Sequence, residues 1–227
     1  YYYNSGSSGR PEPTEAAPTP TVDAADVISL YSNAYTDVQV DTWSADWDQA
    51  QLEDTQVAGD DVKLYTGLAF AGIEFTSQTV DASQMDRFHM DIWTPDPTGT
   101  PAAFRIKLVD FGADGAFGGG DDVEHQINFE TPMKGDWVSL DIPLSDFTGL
   151  TSTSSIAQYI LVGQPTAATT VYVDNVYFYN GDGGSATEPT TAAPAPTQSE
   201  SDVISLFSDS YTDVAVDTWR TDWSSVE

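Results

Sequence analysis

The chain has no cysteine, so no disulfide staples it and thiol chemistry is closed to it. It also has no apolar run of the roughly 18 residues that a membrane-crossing helix needs. Basic residues are scarce: 7 Lys plus Arg stand against 36 Asp plus Glu, for a net charge of −29. A surface of that sign repels phosphate backbones and anionic lipid heads, which argues against nucleic acid as a partner and against membrane insertion. It also calls for salt screening or bound cations, as in a saline medium or a protein that carries Ca²⁺. Of the two histidines, neither His89 nor His125 accompanies a nucleophile signature or a metal-ligand spacing. Paired carboxylates of the glycosidase kind carry no information among 36 acids. The expectation is therefore a protein without catalytic residues, not an enzyme.

What the chain does have is a repeat. Residues 1–51 align without a gap on 177–227 at an offset of 176, with 27 of 51 pairs identical, so "YYYN" at the start matches "YFYN" far downstream. The division this implies is the last strand of a preceding repeat at 1–4, a linker at 5–25, one whole domain at 26–180, a second linker at 181–201, and the first strands of a next repeat at 202–227. A domain of that length can bury a normal core by itself.

The linkers are rich in Pro, Thr, Ala, Ser and Gly, and Pro11, Pro13, Pro18 and Pro20 favour extended polyproline II. At ~3.1 Å per residue, about 20 such residues hold neighbouring domains up to ~60 Å apart. Their Thr-Pro interleaving resembles O-glycosylated stalks, with Thr14, Thr19, Thr21, Thr190 and Thr191 as acceptors, or else marks a bare tether. The first alternative implies an extracellular location.

Between the linkers the hydrophobic period is two. Phe88, Met90 and Ile92 alternate with His89, Asp91 and Trp93, and Phe104, Ile106 and Leu108 alternate with Arg105, Lys107 and Val109. "WVSLDIPL" and "VEHQINF" follow the same rule, and "DVISLYS", "VKLYTG", "AGIEFTS", "QYILVG" and "TVYVDNVYFYN" complete about nine short strands. With no convincing helix, the pattern predicts an all-β jelly-roll β-sandwich in a tandem repeat of 176 residues joined by Pro/Thr-rich linkers.

Three features bear on chemistry. The stretch 110–125 sets Asp110, Asp114, Asp121, Asp122 and Glu124 among five glycines, which is either a Ca²⁺ loop of hard oxygen ligands or a long solvated hairpin. Asp174 interrupts an alternating strand, and a carboxylate near a core strand needs Ca²⁺, a backbone donor or an Arg. Trp93 shares an outward strand face with His89 and Asp91, an arrangement suited to docking a sugar ring. Trp43 and Trp47, spaced by four, form a second candidate pair; the alternative for each tryptophan is a place in the core.

The segments "DVISLYSNAYTDV…DTW", "KLVDFGADGAFGGGDDVEH", "WVSLDIPLSDFTGL" and "VYVDNVYFYN" resemble the β-sandwich carbohydrate-binding modules appended to bacterial laminarinases and other secreted glycan-binding proteins. The resemblance spans 26–180 and implies a galactose-binding-like jelly roll, a polysaccharide such as β-glucan as ligand, and a structural Ca²⁺ near Asp174. It departs from that family in repeating the same unit with no catalytic domain beside it. Two readings follow: an extended surface array or filament whose neighbouring repeats meet through strand or linker contacts, or a binding module that targets a glycoside hydrolase.

Overall fold

A computed structural model of the chain describes residues 11–96, 104–129, 135–163, 170–181 and 195–218. It divides into two units, Tyr1–Ser185 and Ala186–Glu227.

In the first unit the alternating segments form β1 (Val27–Tyr31), β2 (Gln49–Val57), β3 (Asp60–Glu74), β4 (Arg87–Trp93), β5 (Phe104–Asp110), β6 (Val123–Phe129), β7 (Val138–Pro143), β8 (Ile156–Val162) and β9 (Thr170–Tyr179). They belong to one antiparallel sheet in the order β6-β5-β8-β3-β9-β4-β7, with β1 added on β9 and β2 on β3. The all-β architecture expected from the period-two pattern is the one observed.

Two strand assignments differ from expectation. "VKLYTG" and "AGIEFTS" belong to one 15-residue strand, β3, which passes through Gly67 at φ +59 without stopping. β2 was not expected, because "QAQLEDTQV" is polar and acidic and its place is set by pairing with β3 along its length. Continuity of β3 is what curls the sheet. Its first half pairs with β9 at Lys63–Thr66 and its second half with β8 at Phe70–Glu74, so the strand crosses from one layer to the other.

The layers close on a core of large apolar side chains. Tyr65, Phe75, Phe88, Phe104, Phe147, Tyr159 and Phe178 are all fully buried. Phe88 of β4 meets Tyr159 of β8 at 5.8 Å between ring centroids, although two strands separate them in the sheet order. That contact is made across the core.

The described part of the first linker is not a free spacer. Residues 11–22 lie along the outside of β4, β7 and β9, with Pro13 and Ala17 buried. Three hydrogen bonds fasten them: Trp137 Nε1 donates to the Glu15 carbonyl (2.8 Å), Asn175 Nδ2 to the Pro18 carbonyl (3.0 Å) and the Tyr35 hydroxyl to the Val22 carbonyl (2.9 Å). The described part of the extended segment expected at 5–25 is packed along its own domain. The extended conformation that proline favours leaves backbone carbonyls unsatisfied, and donors distant in sequence take them. Residues 1–4, most of the second linker and residues 219–227 lie outside the described residues.

In the second unit the described residues 195–218 repeat, at the offset of 176, local contacts of the first. Ser205 Oγ donates to Asp213 as Ser29 Oγ does to Asp37, and Val214 N donates to the Ser205 carbonyl as Val38 N does to Ser29. Ser208 N bonds Asp213 as Ser32 N bonds Asp37, and the Tyr211 hydroxyl donates to the Gln198 carbonyl as Tyr35 does to Val22. The turn therefore forms from its own residues. The strand does not: "VISL" is β1 at 27–30, where it pairs with β9, but has no strand at 203–206.

Candidate functional site

The curled sheet has two outer faces, and each is a set of in-register rows. On the β3-β8-β5-β6 face, directly opposed residues form the rows Glu74–Gln158–Val109–Glu124, Gly72–Ile160–Lys107–Gln126 and Phe70–Val162–Arg105–Asn128. Their strand neighbours Ile73, Ala71, Tyr159, Leu161, Ile106 and Leu108 point into the core. This face is open.

Trp47 is its main feature. The ring lies flat against β3 at Gly72, where an added Cβ would sit 2.3 Å from Trp47 Cη2. Only glycine leaves room for that approach. The indole stacks on Phe70 at 6.1 Å and 21°, and its Nε1 donates to Glu74 Oε1 at 3.0 Å. The same Glu74 oxygen accepts from Gln158 Nε2 at 2.8 Å. One ring face is thus held on the sheet while the residue stays 45% exposed. Beside it is a cleft of about 700 Å³ walled by Trp47, Glu74, Thr76, Phe111, Phe117 and Gln158. Phe117 stands 79% exposed at the rim, 5.6 Å from the buried Phe111 ring. An apolar ring plane flanked by a carboxylate and an amide suits a sugar, which presents C–H bonds on one face and hydroxyls at its edge. Phe117 was missed in the sequence because its Gly/Asp-rich surroundings were read for their acids alone.

The β9-β4-β7 face carries the rows Tyr177–His89–Asp141 and Tyr172–Trp93 and, between them, Asp91 with Ser139 and Asp174. Here the predicted platform is covered. Trp93 is 5% exposed, His89 7% and Asp91 1%, so the face expected to point outward is buried beneath residues 11–22. The space left under that strap is about 240 Å³, lined by its residues 18–22 with His89, Asp91, Ser139, Asp141, Tyr177 and Tyr179.

The polar groups under the strap are internally paired. His89 Nδ1 lies 2.7 Å from Asp141 and its ring stacks on Tyr177 at 4.4 Å. Burial would depress the imidazole, but its bonds to Asp91 and Asp141 outweigh that and raise its pKa above the ordinary 6.5. Asp91 accepts from Ser139 Oγ and from Asn175 Nδ2 (2.8 Å). Trp43, the other candidate, is half-buried between Tyr31 (5.3 Å) and Tyr159 (6.2 Å) with Lys63 Nζ 5.1 Å from its ring. It packs rather than presents a free plane.

The acidic loop uses its carboxylates on its own backbone. Asp110 Oδ1 accepts from Gly112 N and Oδ2 from Ser155 N, both at 2.8 Å. Asp114 accepts from Ala116 N, Asp121 from Ala113 N and Asp122 from Gly118 N, while Glu124 pairs with Lys107 at 2.7 Å. Among the described residues no group of three or more Asp, Glu, His or Cys gathers as metal ligands. Asp174 stands apart: Oδ1 accepts from Asn175 N (2.7 Å), but the buried Oδ2 has no hydrogen-bond partner. Burial, with the Asp60 and Asp91 carboxylates nearby, pushes its pKa up to about 8. Two or three carboxylates fall short of the six to eight oxygens Ca²⁺ takes, so such an ion would need backbone carbonyls or water as well.

No protein-family model and no curated protein matches the chain. Solved structures similar to it include the family 11 carbohydrate-binding module of the cellulosomal cellulase Lic26A-Cel5E of Clostridium thermocellum, at 15% identity over 68% of this chain and 95% of that one, TM-score 0.46. A family 30 carbohydrate-binding module is similar at 16% identity over 75% and 93%, TM-score 0.47. A family 29 module follows at 10% over 68% and 88%, TM-score 0.41. All three are carbohydrate-binding modules, the class that the sequence resembles. At these values the likeness brings neither a ligand nor a binding residue to this chain.

Proposed function

We propose that the sandwich is a non-catalytic polysaccharide-binding module whose ligand lies across the open β3-β8-β5-β6 face, with Trp47 as its stacking platform. One observation carries this reading. An exposed indole is laid flat on a glycine and held by Glu74, which spends structure on keeping a large apolar plane in water. Soluble β-glucans are the first probes, since the sequence resembles modules borne by laminarinases. Affinity electrophoresis or calorimetry tests the proposal: the full chain is retarded or releases heat, and Trp47→Ala lowers affinity by a factor of about ten or more. Absence of binding to any of a panel of neutral and acidic polysaccharides would remove the reading.

A second role, as the unit of an extended extracellular array, is favoured by the contacts that recur at the offset of 176. Tandem copies would raise avidity for a polymer by effective concentration. Thr14, Thr19 and Thr21 lie exposed on the strap, accessible to O-glycosylation, whereas Thr190 and Thr191 fall outside the described residues. A structural Ca²⁺ belongs, in this reading, beside Asp174 and Asp60, where it would replace the proton that burial now favours. Added Ca²⁺ then raises the thermal midpoint of the wild-type chain and not that of Asp174→Asn.

A further inference from the structure

The open face that carries Trp47 is graded in charge along its strands. Its acids stand in one row, Glu74–Gln158–Val109–Glu124, and its bases in the next two, Lys107 in Gly72–Ile160–Lys107–Gln126 and Arg105 in Phe70–Val162–Arg105–Asn128. Among the described residues only Lys63, Arg87, Arg105 and Lys107 are basic, so half of them share this one strand face. The acids are already engaged: Glu74 accepts from Trp47 and Gln158, and Glu124 pairs with Lys107 at 2.7 Å. Arg105 is not. Its strand neighbours Phe104 and Ile106 are fully buried, which turns its side chain to the outer face, and its Nε is buried without a hydrogen-bond partner. Among the described residues it makes no ion pair, in a chain where acids outnumber bases 36 to 7. A half-buried guanidinium without an anion is costly, and carboxylates to pair with it are plentiful in this sequence.

We propose that Arg105, with Lys107 beside it, receives the anionic oxygens of an acidic polysaccharide, a uronate carboxylate or a sulfate ester, while a neighbouring sugar of the same chain stacks on Trp47. This rests on the open face being the glycan site. Trp47 lies over Gly72 and Phe70, in the same two rows as Lys107 and Arg105. Only β8 separates β3 from β5, so the cations stand roughly 10 Å, two strand spacings, from the strand that carries the ring. Half-buried Ile160 and Val162 floor the gap, and Gln126 and Asn128 continue the rows with amide groups. A guanidinium fork matches two oxygens of one anion, whereas the Lys107 ammonium is a point charge already shared with Glu124. The net charge of −29 does not forbid such a ligand. Repulsion from distant carboxylates is screened beyond about 8 Å at physiological salt, and a contact pair on a partly buried arginine is screened far less.

Calorimetry of the full chain in about 0.15 M salt compares three soluble probes of similar length: a neutral β-glucan oligosaccharide, an oligouronate and a sulfated oligosaccharide. One of the acidic probes is expected to bind about tenfold tighter than the neutral one or better, and its identity names the anionic group. Arg105→Gln is expected to remove that preference, lowering acidic affinity about tenfold and leaving neutral affinity as it was, with Lys107→Gln lowering it by a smaller factor. Trp47→Ala weakens every probe that binds. Neutral binding as tight as acidic, or an Arg105→Gln loss equal on all three probes, overturns the proposal while the Trp47 reading stands. No binding of any probe overturns both. Should Arg105→Gln fail to fold, the Arg105 Nε–H signal of ¹⁵N-labelled wild-type chain decides. A saturable shift with the acidic probe and none with the neutral one supports the assignment, and an unmoved signal with both acidic probes overturns it.

Discussion

The two outer faces of the sheet hold the same kinds of residue and differ in what lies on top. Both present a tryptophan beside carboxylates. On the β9-β4-β7 face Trp93 is 5% exposed, packed with Val57, Val62, Tyr172 and Trp137, and residues 11–22 run alongside, fastened to Trp137 and Asn175. On the β3-β8-β5-β6 face Trp47 is 45% exposed and rests on Gly72 with nothing above it among the described residues. Residue type alone does not mark a binding face. Access does, and here a segment from elsewhere in the chain decides it.

Substituting the two tryptophans breaks the comparison most sharply. Trp93→Ala empties a buried site and is expected to cost about 3 kcal/mol or more of stability in urea denaturation, with glycan affinity of the folded protein unchanged. Trp47→Ala is expected to do the reverse, losing affinity at little cost in stability.

Deleting residues 11–22 uncovers Trp93 and leaves the Trp137 and Asn175 donors to water. A loss of about 2–3 kcal/mol is expected, from the lost hydrogen bonds and the apolar burial of Pro13 and Ala17. Affinity at the open face stays as it was. If the deletion instead creates a new glycan site, the strap is a cover and the faces are functionally alike.

Gly72→Ala tilts the Trp47 ring off the sheet without touching its chemistry. A tenfold loss of affinity, about 1.4 kcal/mol, is expected by calorimetry.

The smallest effect, counted per pH unit, is a slope in stability confined to the covered face, measured with chelator present. Burial, then Asp60 and Asp91, raise Asp174 from 3.8 to about 8, and the carboxylate partners raise His89 above 6.5. Both groups are held protonated more firmly in the fold than in the unfolded chain. The stability they contribute is present below the unfolded values and is lost as pH rises through the folded ones. Between pH 6 and 8 the decline is about 1 kcal/mol per pH unit, and Asp174→Asn flattens it. Glycan affinity at the open face is expected to hold steady over the same range.

Much of the fold was legible because period two is a local signal that core-facing residues such as Phe88, Met90 and Ile92 impose on their own strand. β2 was not, since its residues are polar and only β3 beside it makes it a strand. The identical "VISL" at 27–30 and 203–206 makes the same point within one chain: with β9 alongside it is a strand, without it only the following turn forms. Trp47 was legible as a candidate, but not its advantage over Trp93. That rests on Gly72, 25 residues away, and on a strap whose carbonyls are taken by side chains 122 and 157 residues distant. Pro, Ala and Thr read in isolation as a spacer, and nothing local announces such partners.

The most direct measurement follows the tryptophan indole N–H signals of ¹⁵N-labelled full chain by NMR during titration with a soluble β-glucan. The account predicts that the Trp47 signal shifts saturably while those of Trp93 and Trp137 stay in place. Movement of Trp93 or Trp137 with Trp47 unmoved would contradict it.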